Sequence, residues 1–189
     1  MDKALIISGS IKDVAKNGDT ALAMLNAKVA LICDRSGSMA DDGWGQKPCW
    51  VLEDEVIEKL QKKYAGQIVL IAFHDIAYLC LDGKLPLPQG NTNMLDAFRV
   101  AEPLADAGLR LILITDGQPS HDENEVINEA KKFKGNMDTI YVGPELSPGK
   151  DFLAKLAKAV RGENSLNDLA KDPALLEKRL TQLLLAAGK

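Results

Sequence analysis

The chain has 189 residues and a mass of 20.5 kDa, the size of a single domain. With 46% hydrophobic and 26% charged residues it is too apolar to stay disordered, and it can bury a core without disulfide or metal staples. A net charge of −4, a pI near 5.3 and only 5% aromatic residues argue against binding to nucleic acid or to an anionic membrane, both of which favour a basic face.

In chain order, residues 1–26 predict short amphipathic helices around an Asn17-Gly18 turn, with Ile11, Val14 and Ala15, then Leu22 and Leu25, on their apolar sides. Val29–Cys33 is a continuous apolar run, the habit of a parallel strand covered on both faces. Trp50–Tyr64 spaces Val56, Ile57, Leu60 and Tyr64 as a helix does. It carries Glu53, Asp54 and Glu55 early, Lys62 and Lys63 late, and Gly66 just beyond, in agreement with the helix dipole and a glycine stop. Ile68–Phe73 predicts a second strand. Ile76–Leu81 follows too closely for a crossover and predicts an antiparallel neighbour. A loop from Asp82 to Gly90, rich in Gly and Pro, leads to a helical pattern that opens at Asn91-Thr92.

Leu109–Thr115 and Thr139–Val142 complete the apolar runs. Between them Ser120-His121-Asp122-Glu123 reads as a capping box for a helix over Val126–Phe133. Asp172-Pro173 is expected to open a last helix through Leu185, with Leu175, Leu176, Leu180, Leu183, Leu184 and Leu185 as its packing stripe. Alternation of strand and helix gives an α/β class: a doubly wound, mostly parallel sheet with one antiparallel edge strand and helices on both faces. Residues 1–27 are expected to be an extension packed on a domain spanning 28–189. Three widely spaced cysteines (Cys33, Cys49, Cys80) make neither a disulfide framework nor a zinc knuckle. With no apolar run long enough for a signal peptide or membrane span near the start, they suggest a cytoplasmic, reducing compartment.

Ligands of open parallel sheets bind beyond the carboxyl ends of the strands. The residues there are Asp34-Arg35-Ser36-Gly37-Ser38 after the first run and Thr115-Asp116-Gly117 after the third, with Thr92 on the loop between. Two aspartates at one strand edge repel each other, and a cation is the usual resolution. Two carboxylates and three hydroxyls are hard oxygen donors, suited to Mg²⁺, Mn²⁺ or Ca²⁺ rather than zinc. Singly, each residue is an ordinary cap or turn former; it is their common edge and their order that point to a site. The acidity is uneven in the same sense. Residues 145–189 carry a net +2, so the rest carries −6, with Asp34, Asp41, Asp42, Asp116, Asp122 and Glu123 at this edge.

Asp34-Arg35-Ser36-Gly37-Ser38-Met39 after a Val-Ala-Leu-Ile strand resembles the DxSxS signature of von Willebrand factor A domains. Gly90-Asn91-Thr92 resembles that family's later Thr motif, with Gly-Asn where Gly-Gly is common, and Ile114-Thr115-Asp116-Gly117 resembles its second Asp motif. The resemblance runs from about residue 28 to the C-terminus and implies a Rossmann-like fold with a metal-ion-dependent adhesion site. By that resemblance Ser36 and Ser38 bind the metal directly, Thr92 directly or through water, and Asp34 and Asp116 mainly through water. Neutral hydroxyls leave the dication's charge largely uncompensated, and octahedral Mg²⁺ still needs an oxygen, which a Glu or Asp of a partner protein supplies. The resemblance thus implies a non-catalytic protein-binding module, in families of this kind often associated with an ATPase complex.

Other features weigh less. Gly143 to Lys150 superficially resembles a phosphate-binding loop, but five residues separate its glycines, Asp151 stands where Ser or Thr belongs, and Pro144 and Pro148 remove backbone donors. An aspartyl-phosphate enzyme with Asp34 as nucleophile, Asp116 as metal ligand and Lys150 as charge stabiliser is the enzymatic alternative, although Ser36 stands where such enzymes carry a second acid. A structural domain with a vestigial site is a third. His74 reads as a structural residue after a strand, and His121 as a residue near the metal edge. Neither has the Ser or Cys spacing of a hydrolytic triad. Cys33 and Trp50 read as core. Trp44, between two glycines, is a candidate partner contact together with Asn91 and His121.

Overall fold

The computed structural model describes residues 6–43, 47–143, 147–166 and 173–187. In chain order its elements are α1 (Ile11–Val14), α2 (Thr20–Met24), β1 (Val29–Asp34), β2 (Asp42–Gly43), β3 (Lys47–Pro48), α3 (Cys49–Lys63), β4 (Ile68–Phe73) and β5 (Ala77–Leu79). There follow α4 (Met94–Asp106), β6 (Arg110–Thr115), α5 (Glu123–Ala130), β7 (Met137–Tyr141), α6 (Pro148–Ala159), β8 (Asn164–Leu166) and α7 (Pro173–Ala186). Six strands make one sheet in the order β5-β4-β1-β6-β7-β8, and β2 and β3 form a separate two-residue ribbon. All pairings in the large sheet are parallel except β4 with the edge strand β5.

Each central strand buries both faces, so its residues alternate between two cores. Ala30, Ile32, Val69, Ile71, Leu111 and Leu113 meet α4, α5 and α6 through Phe98, Val126 and Phe152. Leu31, Cys33, Leu70, Ala72, Ile112 and Ile114 meet α3 and α7 through Val56, Ile57, Leu180 and Leu183. The expected fold class is therefore what the chain adopts, a doubly wound sheet covered on both sides. From β1 the chain runs through α3 to β4 on one side, then returns through α4 to β6 on the other. The crevice where ligands of such sheets bind lies between the carboxyl ends of β1 and β6.

Some local expectations are corrected. Leu22 and Leu25 are 57% and 79% exposed; Ile11 and Ala23 anchor the N-terminal segment instead. Asn17, at φ 55°, makes the expected turn. Ser120 does not cap α5. Asp122 does, its Oδ1 accepting from the Asn124 and Glu125 amides at 3.0 and 3.2 Å, two residues closer to the helix. Helix α4 opens at Met94, two residues after Thr92, where the Asn93 side chain caps it. Leu175 and Leu185 fall outside the buried stripe of α7. Asp172, the expected cap of α7, lies outside the described residues. β8, only three residues long with two of them polar, carries no strand pattern in the sequence.

Leu180 is fully buried between α7 and the sheet, whereas Leu185 is 60% exposed. Leu180→Ala is expected to cost about 2–5 kcal/mol of stability, and Leu185→Ala within about 0.5 kcal/mol, by urea denaturation. Equal effects would contradict the packing of α7.

Candidate metal centre

The parallel register of β1 with β6 sets Cys33 against Ile114, and so brings Asp34 alongside Thr115 at the strand ends. The Thr115 hydroxyl donates to Asp34 Oδ2, and the Ser36 amide donates to Asp34 Oδ1 at 2.7 Å. Ser36 Oγ and Ser38 Oγ lie 3.1 Å apart, and Ser38 Oγ donates to Asp116 Oδ1 at 3.1 Å. Four of the five expected ligands thus form one continuous hydrogen-bonded chain across two loops. Ser38 stands in the 3₁₀ turn Gly37–Ala40, which starts directly after Ser36.

Thr92 joins through its backbone. The Gly37 amide donates to the Gly90 carbonyl at 3.1 Å, which ties the Ser loop to the Thr loop. Thr92 and Ser120 make a reciprocal pair: the Thr92 amide donates to Ser120 Oγ at 2.8 Å, and the Ser120 amide to the Thr92 carbonyl at 2.9 Å. Gly90 lies at φ 63°, with the Asp75 carboxylate where a Cβ would stand. The positive φ favours glycine, and any side chain there would displace that carboxylate. The same carboxylate accepts from the Asn91 amide and side chain at 3.2 and 2.8 Å. Behind Asp116, α6 packs so closely that a Cβ on Gly149 would come within 2.8 Å of Gly117.

Burial governs the electrostatics. Asp34 is fully buried, and loss of hydration raises its pKa despite its hydrogen bonds. Asp116 is pushed up to about 6, first by burial and then by the charge of Asp34. Carboxyls that resist ionisation together, beside two serine hydroxyls, fit a hard divalent cation. Both Asp34 oxygens already accept hydrogen bonds, which suits a role through water, while the serine oxygens suit direct ligation. Among the described residues no group of three or more His, Cys, Asp or Glu side chains is placed to hold a metal. The donor set here is instead two carboxylates and hydroxyls.

Asn91 and His121 are exposed at this edge, and Trp44 lies outside the described residues. His74 is buried, with Nε2 at 3.3 Å from Gln89 Nε2. Cys33 is core, its thiol raised by burial, and Trp50 is half-buried against the α3–α7 core. Residues 144–146 of the supposed phosphate loop lie outside the described residues, and the Gly149 amide donates to Ser147 Oγ at 3.2 Å as an ordinary cap. Sequence reasoning missed Thr115, Ser120, Asp75 and Arg35. Only Thr115, directly before Asp116 at a strand end, carried a positional signal.

Neither a protein-family model nor a curated protein sequence matches the chain. Solved structures do. An aerotolerance-related membrane protein from Bacteroides fragilis shares 16% identity at a TM-score of 0.62, covering 84% of this chain and 98% of that one. The ArnB paralog VWA2 from Sulfolobus acidocaldarius shares 19% at 0.57, covering 80% and 44%. Proximal thread matrix protein 1 from the mussel byssus, with a zinc-occupied MIDAS motif, shares 16% at 0.57, covering 84% and 45%. The chain thus spans nearly the whole of the first and less than half of the other two. A six-stranded, doubly wound sheet with this order and these likenesses is a von Willebrand factor A fold. Within that fold, the chain gathers its Ser-loop and Asp-loop side chains at the switch point of the sheet.

In metal-free protein the raised Asp116 makes the folded state hold a proton that the unfolded state has released. Its contribution is therefore expected to lower stability as pH rises from about 4 to about 6, by up to about 3 kcal/mol, and Asp116→Asn should flatten that fall. Denaturation curves across this range check it; an unchanged slope would contradict the burial of this carboxyl.

Proposed function

We propose that this chain is a metal-ion-dependent protein-binding module without catalysis, recognising an Asp or Glu of a partner protein. One observation carries the reading: Asp34, Ser36, Ser38 and Asp116 meet in one hydrogen-bonded cluster at the switch point of the sheet. Ser36 and Ser38 would ligate directly, Thr92 directly or through water, and Asp34 and Asp116 mainly through water. A bound dication supplies an open position and uncompensated charge for a partner carboxylate. The zinc-occupied MIDAS motif of proximal thread matrix protein 1 supports a divalent ion in this fold. The all-oxygen donors here favour Mg²⁺, with Mn²⁺ or Ca²⁺ as substitutes.

Around this cluster, Asn91 and His121 offer exposed polar contacts to a partner, and an ATPase complex in the cytoplasm is the setting we infer for it. No helix among the described residues is long and apolar enough to cross a membrane. Residues 1–27 are taken as an extension packed on the domain of 28–189; Ile11 buries its side chain in the α4-side core. The aspartyl-phosphate alternative fits less well. Asp34 is fully buried, and each of its oxygens already accepts a hydrogen bond that a nucleophilic role would weaken.

Calorimetry is expected to show Mg²⁺ and Mn²⁺ binding by the wild type, weakened about 10-fold or more in Ser36→Ala and Asp116→Ala, and partner pull-down abolished by EDTA. Absence of metal binding would mean a vestigial site, and metal-dependent phosphate release lost in Asp34→Asn would mean an enzyme.

A further inference from the structure

The residue between Asp34 and Ser36 is an arginine, a cation placed inside a loop built for a cation. Exposed there, it would repel a dication and attract the same carboxylates. The fold instead buries it completely, with its guanidinium against α3. Arg35 Nη2 donates to Asp54 Oδ1 and lies 3.4 Å from Glu53 Oε2. Its backbone is tied as firmly: its amide donates to the Phe73 carbonyl at the end of β4 at 2.7 Å, and its carbonyl accepts from the Gln89 amide at 2.8 Å. One residue therefore connects the Ser loop, the end of β4, the loop leading to Thr92, and helix α3.

As a source of stability the arrangement is poor. Arg35 Nε and Nη1 make no hydrogen bond among the described residues, and Glu53 finds, besides the ion pair, only the thiol of Cys33, a weak donor. Burial pushes the Glu53 carboxyl up to about 7 against the pull of Arg35. A buried ion pair left this incomplete is the kind that well-packed apolar side chains replace without loss of stability. What apolar side chains cannot replace is the directional link that fixes the rotation of residue 35, and hence the aim of Asp34 and Ser36 on either side.

Resting on the metal-binding reading above, we propose that Arg35 is the positioning residue of the metal loop, locking Asp34 and Ser36 to helix α3 through Glu53 and Asp54. The metal site then extends inward to a helix that contributes no ligand.

The test separates stability from affinity. Arg35→Met with Glu53→Leu removes both charges and keeps volume. Asp54→Asn, on a partly exposed side chain, weakens the link while leaving the buried pair. Each variant is compared with wild type and Ser36→Ala by metal-free thermal unfolding and by Mn²⁺ calorimetry. The expected result is a melting temperature at or above wild type in the double variant with Mn²⁺ affinity about 10-fold weaker, and a loss of about threefold in Asp54→Asn at unchanged melting temperature. Wild-type affinity in a folded double variant would overturn the role of Arg35 while leaving the metal site standing. Should the double variant not fold, Asp54→Asn decides, and unchanged affinity there overturns the proposal. Absence of Mn²⁺ binding in the wild type itself, equal to Ser36→Ala, would overturn the metal reading and this proposal with it.

Discussion

The structure turns on two aspartates brought to the buried ends of neighbouring parallel strands. β1 and β6 run side by side in fixed register, so Asp34 and Asp116 cannot separate without breaking the sheet. Burial raises both carboxyls, and the charge on Asp34 raises Asp116 further. Everything near them answers this conflict. Thr115 and the Ser36 amide donate to Asp34, Ser38 donates to Asp116, and the two serine hydroxyls bridge the gap. Hydrogen bonds from neutral donors ease the repulsion, but a divalent ion would relieve it more fully.

The same constraint explains the glycines and the loop clamps. The loops must come close enough to share one ion, so backbones approach where side chains would collide. Gly90 yields to the Asp75 carboxylate, and Gly149 lets α6 lie against Gly117 behind Asp116. The reciprocal Thr92–Ser120 pair and the Gly37–Gly90 hydrogen bond fix the three loops to one another. The rigid sheet places the residues, and these short links set the distances between them.

Much of this was legible in the sequence because parallel strands announce themselves. Val29–Cys33, Ile68–Phe73 and Leu109–Thr115 are continuous apolar runs, and the residue after each run identifies the edge where ligands bind. That logic reached Asp34, Ser36, Ser38 and Asp116 and the doubly wound class. It failed where the outcome depends on distant partners. Leu22 and Leu25 carry a helical pattern with no surface to cover, while β8 is too short and polar to signal a strand. Ser120 resembled a cap but serves Thr92, 28 residues away. Nothing local in Asp34-Arg35-Ser36 indicates that the arginine is buried against α3. That follows only from the approach of Glu53 and Asp54 across the α3 face of the sheet.

The most direct test of the central claim is anomalous diffraction from crystals grown with Mn²⁺. The account predicts one strong peak at the carboxyl ends of β1 and β6, within about 2.3 Å of Ser36 Oγ and Ser38 Oγ. No peak there, or manganese bound only elsewhere on the surface, would contradict it.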